Sequence, residues 1–569
     1  MTRHNLAVSA AILAITLAGF FQFPGHAWLQ QDTQIWVAIF EHLWNPVVLA
    51  RDLVAMKPHV SYTLTDECAL ALRWITRSSF HVALLFLQLA CRVFELAGVY
   101  LLTRALRLQT SMALLVTALF GLGATIVGPA VLTMEYEPVP RGFALGFAFF
   151  AAGLASRERW MAGSVAAAAG TLLHAPTMIP VWLVFLVYAV WRKQYRVLLP
   201  AVTAVLVLLI ASRVQIGPAS SQAFFSRIDP EWEKLERMRA SYNWVSTWVN
   251  PLLWQYLFFG GVALLACRRI GARAGRWFAI GLPVIGVASV GAAYLLTEQA
   301  KWALMPQLQP ARAVLFDVAF AVIVPAVAAV LAAQQRRCWE SIAWFIPAFV
   351  VPLQARISDL TARRLLVAAG LSVLACGACW MSQKRAGWVF ATVAAAVPYW
   401  AIPIAGQVRN YPNLHTPALA ALSDFARANT PQDAMFLFPD AGKAQDSGIF
   451  RAEALRAIYV DWKSGGQLNY FRSFAVEWWS RWQDTMSGTN VEGQLEHFRA
   501  LGIDYIVLRK AHPVAGLTPV YENDGYLVYR LDARKESTSG RAGTEAWAPK
   551  RVTEMAAAAF AKRSASTTD

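Results

Sequence analysis

Charge is scarce in this sequence: Asp, Glu, Lys and Arg make up 15% of 569 residues, while 57% are hydrophobic. A chain this long and this apolar is not an ordinary soluble protein and requires many membrane spans. Cysteine is scarcer still. The six (Cys68, Cys91, Cys267, Cys338, Cys376, Cys379) lie scattered in or beside apolar runs, a pattern that indicates neither a disulfide framework nor a zinc site. The pair in "LACGAC" has CxxC spacing but sits inside a span, where cysteine is a small packing residue. Acids are outnumbered, 35 against 51 bases, giving a formal charge of +16. In a polytopic protein that surplus belongs to cytoplasmic loops, so no nucleic-acid partner is expected. No short-period repeat is present.

What is abundant is long apolar runs, at 5–24, 80–102, 111–131, 142–156, 161–175, 177–191, 197–213, 247–267, 277–297, 312–333, 339–354, 364–381 and 386–405. At about twenty residues per crossing they predict an α-helical polytopic membrane protein with about 13 transmembrane helices. Pro176 and Pro347 mark places where short runs break or re-enter. With a cytoplasmic amino terminus, the short inner loops hold 16 Lys and Arg in about 33 residues, whereas the outer loop 25–77 holds four beside five acids. That asymmetry places the loops after odd-numbered spans outside. The first span reads as an uncleaved anchor rather than a removed signal peptide.

Beyond residue 406 the character changes. A helix after "LHTP", strands at "AMFLF", "RAIYVDW" and "DYIVL", and a closing hairpin turning at Asn523, Asp524 and Gly525 predict a small α/β extracytoplasmic domain over 407–532. Residues 533–569 read as a disordered tail. The first outer loop opens with Asp32, followed by an interfacial helix at about 32–45 whose stripe is Ile35, Trp36, Ile39, Phe40, Leu43 and Trp44.

Ionisable groups at a bilayer surface are costly and need a partner or a task. Asp32 and the "MEYEPVPRGF" loop, with Glu135, Glu137 and Arg141, fall on the same side. A carboxylate there suits a general base toward an acceptor hydroxyl, and two more suit holding a divalent cation against a phosphate. Arg312, in "LQPAR", suits gripping a lipid-borne phosphate, or merely snorkelling to the headgroups. Arg92 and Glu95 neutralise each other on one helix, Asp317 lacks a local partner, and His174 reads as a satisfied buried histidine. Trp478, Trp479 and Trp482 in "EWWSRW" are candidates to stack on sugar, to cap the domain core or to rest on the membrane.

Together, "QQDTQIW", "NPVVLARD", "MEYEPVPR", the many spans and the external domain resemble the GT-C class of integral-membrane glycosyltransferases. "LLHAPTMIP", "LQPAR", "ANTPQDAMFLFPD", "FRAEALRAIYVDWK" and "GIDYIVL" resemble a bacterial multi-spanning family related to it. The resemblance implies a GT-C-like fold in the bacterial inner membrane. It implies transfer of a sugar from a polyprenyl-phosphate donor to an envelope glycan or protein acceptor, with Asp32 as base. Glu135 and Glu137 would bind a divalent cation (Mg or Mn) or orient the acceptor, and Arg141 and Arg312 would bind phosphate. Many members of the class carry two adjacent acids in the first loop, whereas Thr33 follows Asp32 here. Two other readings stay open at this stage: a transporter or flippase working through Asp317, Arg92 and Glu95, and a non-catalytic envelope-assembly protein.

Overall fold

The computed structural model describes residues 3–56, 63–214, 225–271, 275–382, 387–486 and 491–531. The expected tail, 533–569, lies outside the described residues. Among those described, nine helices are long and apolar enough to cross a membrane, and Thr110–Phe120 and Cys338–Leu353 are shorter apolar helices. The protein is thus a multi-pass helical membrane protein with a small sheet near its C-terminal end.

One of the nine is two. Trp160–Arg192 folds back on itself at His174, whose φ of −158° and ψ of 89° are not helical. The Trp160 ring consequently stacks on Tyr188 at 3.4 Å, and Trp182 donates to the Thr171 hydroxyl at 2.8 Å. The separate runs 161–175 and 177–191 are therefore an antiparallel pair, with Pro176 just past the reversal. Pro347, by contrast, lies inside the helix Cys338–Leu353. The run 111–131 departs from expectation. Its helix stops at Phe120, and the chain continues through β1 (Thr125–Ile126) and β2 (Val131–Leu132), an antiparallel hairpin with Gly128 at φ 81°. Non-helical backbone at this depth is tolerated where protein buries it or a cavity hydrates it.

The bundle is held by close backbone contact as much as by large side chains. A Cβ on Gly98 would run into the backbone of Phe149, so Phe80–Ala105 and Pro140–Ser156 approach as only small residues permit. Val314–Gln334 is almost wholly buried, and Asp317 within it is 0% exposed beside Gly260 and Gly286. Arg92 does not neutralise Glu95 by an ion pair. Its Nη2 donates to the carbonyls of Gly25 at 2.8 Å and Glu135 at 2.7 Å, fastening together the two loops that carry them.

The C-terminal sheet has the order β4 (Ala457–Ile458), β3 (Met435–Leu437), β5 (Tyr505–Arg509), β7 (Tyr526–Arg530), β6 (Tyr521–Glu522). β3 runs parallel to both β4 and β5, and the closing hairpin is antiparallel. Period-2 alternation divides the strands between two cores. Met435, Leu437, Ile506, Leu508 and Leu527 face one side, where Ile35, Val54, Trp232 and Trp244 join them. Phe436, Tyr505, Val507 and Val528 face the other, with Leu29 and Val37. The interfacial helix, Thr33–Trp44, therefore does not simply lie on lipid: Ile35 and Val37 pack into the two cores of the C-terminal sheet, while Phe40 packs against Phe80.

A buried charge cluster locks this arrangement. Arg451, 1% exposed, pairs with Asp461 at 2.5 Å and approaches Asp52 at 3.8 Å. Asp52 in turn accepts from the backbone N–H groups of Val54 and Ala55 in its own loop and of Ile458 in β4.

Two outcomes follow from these packing facts. Gly98→Leu should abolish a monodisperse peak in detergent size-exclusion chromatography or lower the melting temperature sharply, because overpacking costs about 1–3 kcal/mol or more. Glu236, 0% exposed in the helix Pro230–Arg239, has its carboxyl pushed up to about 8 by burial, which the Asn243 and Trp244 side chains beside it offset only in part. A raised carboxyl contributes stability that is full below its unfolded value and is lost as pH rises through about 8. Melting curves from pH 5 to 9 should show wild type losing stability across that window, with Glu236→Gln flatter and more stable at the alkaline end.

Candidate functional site

The loops after alternate spans meet at one end of the bundle, under the C-terminal domain, around a cavity of about 460 Å³. That volume is in the range of small-molecule sites. Asp32 and Trp36 enter from the segment after the first span, and Glu135, Glu137 and Arg141 from the loop before the helix Pro140–Ser156 and its first turn. His174 enters at the helical reversal, Arg239 and Tyr242 from the 230–247 segment, Arg312 from "LQPAR", and Trp462, Lys463 and Tyr470 from the C-terminal domain. Asp32, Glu135, Glu137, Arg141 and Arg312, expected on one side, thus line one cavity.

Asp32 precedes the first residue of the Thr33–Trp44 helix, where the helix dipole favours negative charge. Its Oδ2 accepts from Arg141 Nη1 at 2.8 Å and its Oδ1 from Lys463 Nζ at 2.7 Å. Burial alone would push this carboxyl up, but the Lys463 and Arg141 charges outweigh it and hold Asp32 well below the usual carboxylate range. A carboxylate gripped at both oxygens is a weak base, so its expected role as a base is at odds with this geometry.

Arg141, expected on phosphate, is committed elsewhere. Besides Asp32 it binds Glu135 through Nε at 2.5 Å and Nη2 at 3.3 Å. Glu135 is consequently consumed in an ion pair. Glu137 anchors the first loop: its Oε1 accepts from the backbone N–H groups of Gln30 and Gln31, each at 2.7 Å, and from the Thr33 hydroxyl at 2.8 Å. Burial and the neighbouring Asp32 push the Glu137 carboxyl up, against the opposing pull of Thr33, Lys463 and Gln31. With these oxygens bonded and four cationic side chains in the same wall, the residues do not fit a divalent cation. Among the described residues no group of three or more His, Cys, Asp or Glu side chains is placed to hold one.

Arg312 is different. Its guanidinium lies 5.0 Å over the Tyr242 ring, its buried Nε has no hydrogen-bond partner, and no carboxylate among the described residues pairs with it. Arg239 gives Nε to the Trp462 carbonyl at 2.9 Å and Nη2 to that of Lys463 at 3.4 Å, likewise without a carboxylate among the described residues. Burial pushes the Tyr470 phenol up to about 12, so it stays a neutral donor. The tryptophans of "EWWSRW" are not in the wall. Trp478 is 0% exposed, donates Nε1 to the Asp461 carbonyl at 2.9 Å, and packs between Trp462 and Trp482. It has no free face for a sugar, while Trp479 and Trp482 pack against the same core.

Lys463, Arg239, Tyr242 and Tyr470 were not singled out as site residues from sequence. Lys463 carried a faint signal, an isolated cation before "SGG" in a charge-dense stretch. The other three lie at loop ends that only folding brings together.

A family model described as "Domain of unknown function (DUF6798)" matches residues 417–485, which includes Arg451, Asp461 and Lys463. None of the curated proteins matches the sequence. Among solved structures, ArnT from Cupriavidus metallidurans in the apo state is similar at 13% identity and a TM-score of 0.42, covering 94% of this chain and 99% of that one. The same protein bound to undecaprenyl phosphate is similar at 15% identity and a TM-score of 0.39, covering 94% and 98%. The Archaeoglobus fulgidus oligosaccharyltransferase, tethered with an acceptor peptide containing the NVT sequon via a disulfide bond, is similar at 11% identity and a TM-score of 0.39, covering 89% and 69%. Both neighbours are GT-C glycosyltransferases. At these TM-scores the likeness carries no weight for the reaction, which rests on this chain's own residues.

Glu137→Gln tests whether that acid is scaffold. It should lower the melting temperature of the purified protein by several degrees, the cost of leaving buried donors poorly matched, and added Mg²⁺ or Mn²⁺ should shift wild type no more than the variant.

Proposed function

We propose that this chain transfers a sugar from a polyprenyl-phosphate donor to an envelope acceptor, in the bacterial inner membrane. On this reading the amino terminus is cytoplasmic and the cavity opens on the outer face. The observation that carries the reading is the pairing, in one cavity, of an accessible carboxylate with a guanidinium that lacks a carboxylate partner among the described residues. The Asp32 side chain is 30% exposed, against 3% for Glu135, and Arg312 is the group left to receive an anion.

On this reading the donor phosphate rests on Arg312 and Tyr242, where charge-assisted bonds steady the negative charge that grows as the C1–O bond breaks. Asp32, facing the anomeric carbon from the acceptor side, stabilises the positive charge developing there. Lys463 and Arg141 hold it in position, which is worth more to the reaction than mobility. The ArnT solved with undecaprenyl phosphate carries a ligand of the class proposed here.

The test is complementation of a strain lacking the native copy. Asp32→Asn should abolish the protein-dependent glycan or glycoprotein seen by mass spectrometry. Arg312→Gln should lower transfer by about 10²-fold, the usual cost of one transition-state donor. A wild-type glycan profile from Asp32→Asn at normal protein level would sink the reading.

A further inference from the structure

We infer that the end of the bundle opposite the cavity holds the headgroup of an anionic glycerophospholipid carrying two phosphodiesters, in a basic pocket built on the helix hairpin Trp160–Arg192. The inference stands apart from the transferase reading and involves no reaction.

The hairpin fixes the place. Its reversal at His174 lines the cavity, so Trp160 and Arg192 come together at the far end, about 20 Å away, the length of its shorter leg. There an open pocket of about 720 Å³ has Trp160, Tyr188 and Val197 as its floor and Arg192, Lys193 and Arg196 on its rim. The floor is buried and the three cations are exposed. Local bonds hold the rim in shape. Lys193 turns the chain out of the helix at φ 55°. Tyr188 donates its hydroxyl to Gln194 Oε1 at 3.0 Å, and the Ser164 hydroxyl donates to the Val197 carbonyl, tying the turn Tyr195–Leu198 to the first leg of the hairpin.

Two independent observations identify the occupant. The first is charge. Glu158 is the one acid among the lining residues, and its Oε2 already accepts from the Trp160 indole at 3.2 Å. None of the three cations makes an ion pair among the described residues. Three cations against one acid leave two positive charges, and Arg157 and Arg159, which flank Glu158 without lining the pocket, only add to them. A headgroup with one phosphodiester leaves such a site cationic, whereas two phosphodiesters meet it with charge-assisted bonds.

The second observation is what surrounds the pocket. Trp191 and Tyr195 stand exposed beside it, as aromatic side chains do where water meets lipid. From that level two exposed apolar stripes run toward the middle of the bundle. Met161 and Val165 form one on the first leg of the hairpin, and Leu199, Val202 and Leu206 form the other on the helix Leu199–Val214. A soluble anion has no use for these stripes, but acyl chains below a bound headgroup do. Basic pockets between membrane helices bind doubly charged lipid headgroups in this way.

Thermal-shift titration of the purified, delipidated full chain in neutral detergent tests the site, with tetraoleoyl cardiolipin, dioleoyl phosphatidylglycerol, dioleoyl phosphatidylcholine and glycerophosphate as probes. Cardiolipin should raise the melting temperature saturably, phosphatidylglycerol should half-saturate at about tenfold higher concentration or more, and the other two should have no saturable effect. The double variant Arg192→Gln, Arg196→Gln should weaken half-saturation by cardiolipin about tenfold or more, the size of one lost charge-assisted bond or greater. Arg192→Lys with Arg196→Lys should retain most of it. Arg107→Gln, which removes an exposed cation outside the pocket, should respond as wild type. No saturable shift with cardiolipin, an equal shift with phosphatidylcholine, or a wild-type response from the Gln double variant overturns the proposal. An equal loss from Arg107→Gln reduces the effect to general surface charge and overturns it too. Glycerophosphate matching cardiolipin would make this a site for a free phosphate, and phosphatidylglycerol matching it would remove the second phosphodiester; either result overturns the assignment.

Discussion

A carboxylate at the edge of a low-dielectric region must be paired, and Asp32 is paired from two directions. Arg141 comes from the first turn of the helix Pro140–Ser156, Lys463 from a loop of the C-terminal domain. Neither half of the molecule completes the site alone. The constraint explains why the domain shares its two cores with the first outer loop rather than hanging from the last span by a linker: Ile35 and Val37, successive inward positions of one helix, enter opposite faces of the sheet. A misplacement of the domain by an ångström would leave buried charge unmatched, a penalty larger than most packing defects.

The same rule separates charges that build the site from charges that use it. Arg92 spends its guanidinium on loop carbonyls, Glu137 its oxygens on the backbone ahead of the interfacial helix, and Arg451 its charge on Asp461 and Asp52. Each fixes one segment of the wall. Arg451 acts at a distance: by holding Asp461, whose Oδ1 accepts from the Ser464 N–H at 2.8 Å, it sets the loop from which Lys463 projects. Against that scaffold, Arg239 and Arg312 stand out because no carboxylate among the described residues makes an ion pair with either, although Asp32 and Asp461 act on them from a distance.

Much of this was legible in the sequence, for reasons that can be named. Apolar runs report membrane spans because length and hydropathy decide insertion, and the alternation of spans and loops put on one side the groups that the cavity brings together. The short apolar runs "AMFLF" and "DYIVL" reported strands of a small α/β domain. The site was legible only by residue type. Sequence placed Asp32, Glu135, Glu137, Arg141 and Arg312 on one face, but it could not say who pairs with whom, since an acid or an arginine reads the same whether spent or free. Hence Arg141 was assigned to phosphate when it holds Asp32. Of the readings open for the tryptophans, the core one holds for Trp478, and an aromatic cluster beside charges looks alike in sequence whether it lines a cavity or fills a core. The helices Asp446–Ala454 and Arg472–Met486 were missed because their apolar faces are shared with distant segments.

The broken span at 121–132 is the remaining departure, and it bears on the ligand. Ending a membrane helix at Phe120 exposes backbone groups that a continued helix would have satisfied, a cost of several kcal/mol for each left unpaired in lipid. The hairpin recovers part of this through its own ladder, and the Thr133 N–H reaches the Ala124 carbonyl at 3.0 Å. What the break provides is an apolar face, with Ile126, Val131 and Leu132 lining the cavity that Arg312, Arg239 and Lys463 also line. A cavity built only to bind a soluble anion has no use for such a wall. A wall apolar on one part and cationic on another matches an amphiphile, with the charged group against the arginines and the hydrocarbon toward the bilayer. On the proposed reading, the lipid-linked phosphate assigned to Arg312 accounts for the sacrifice of one regular span as well.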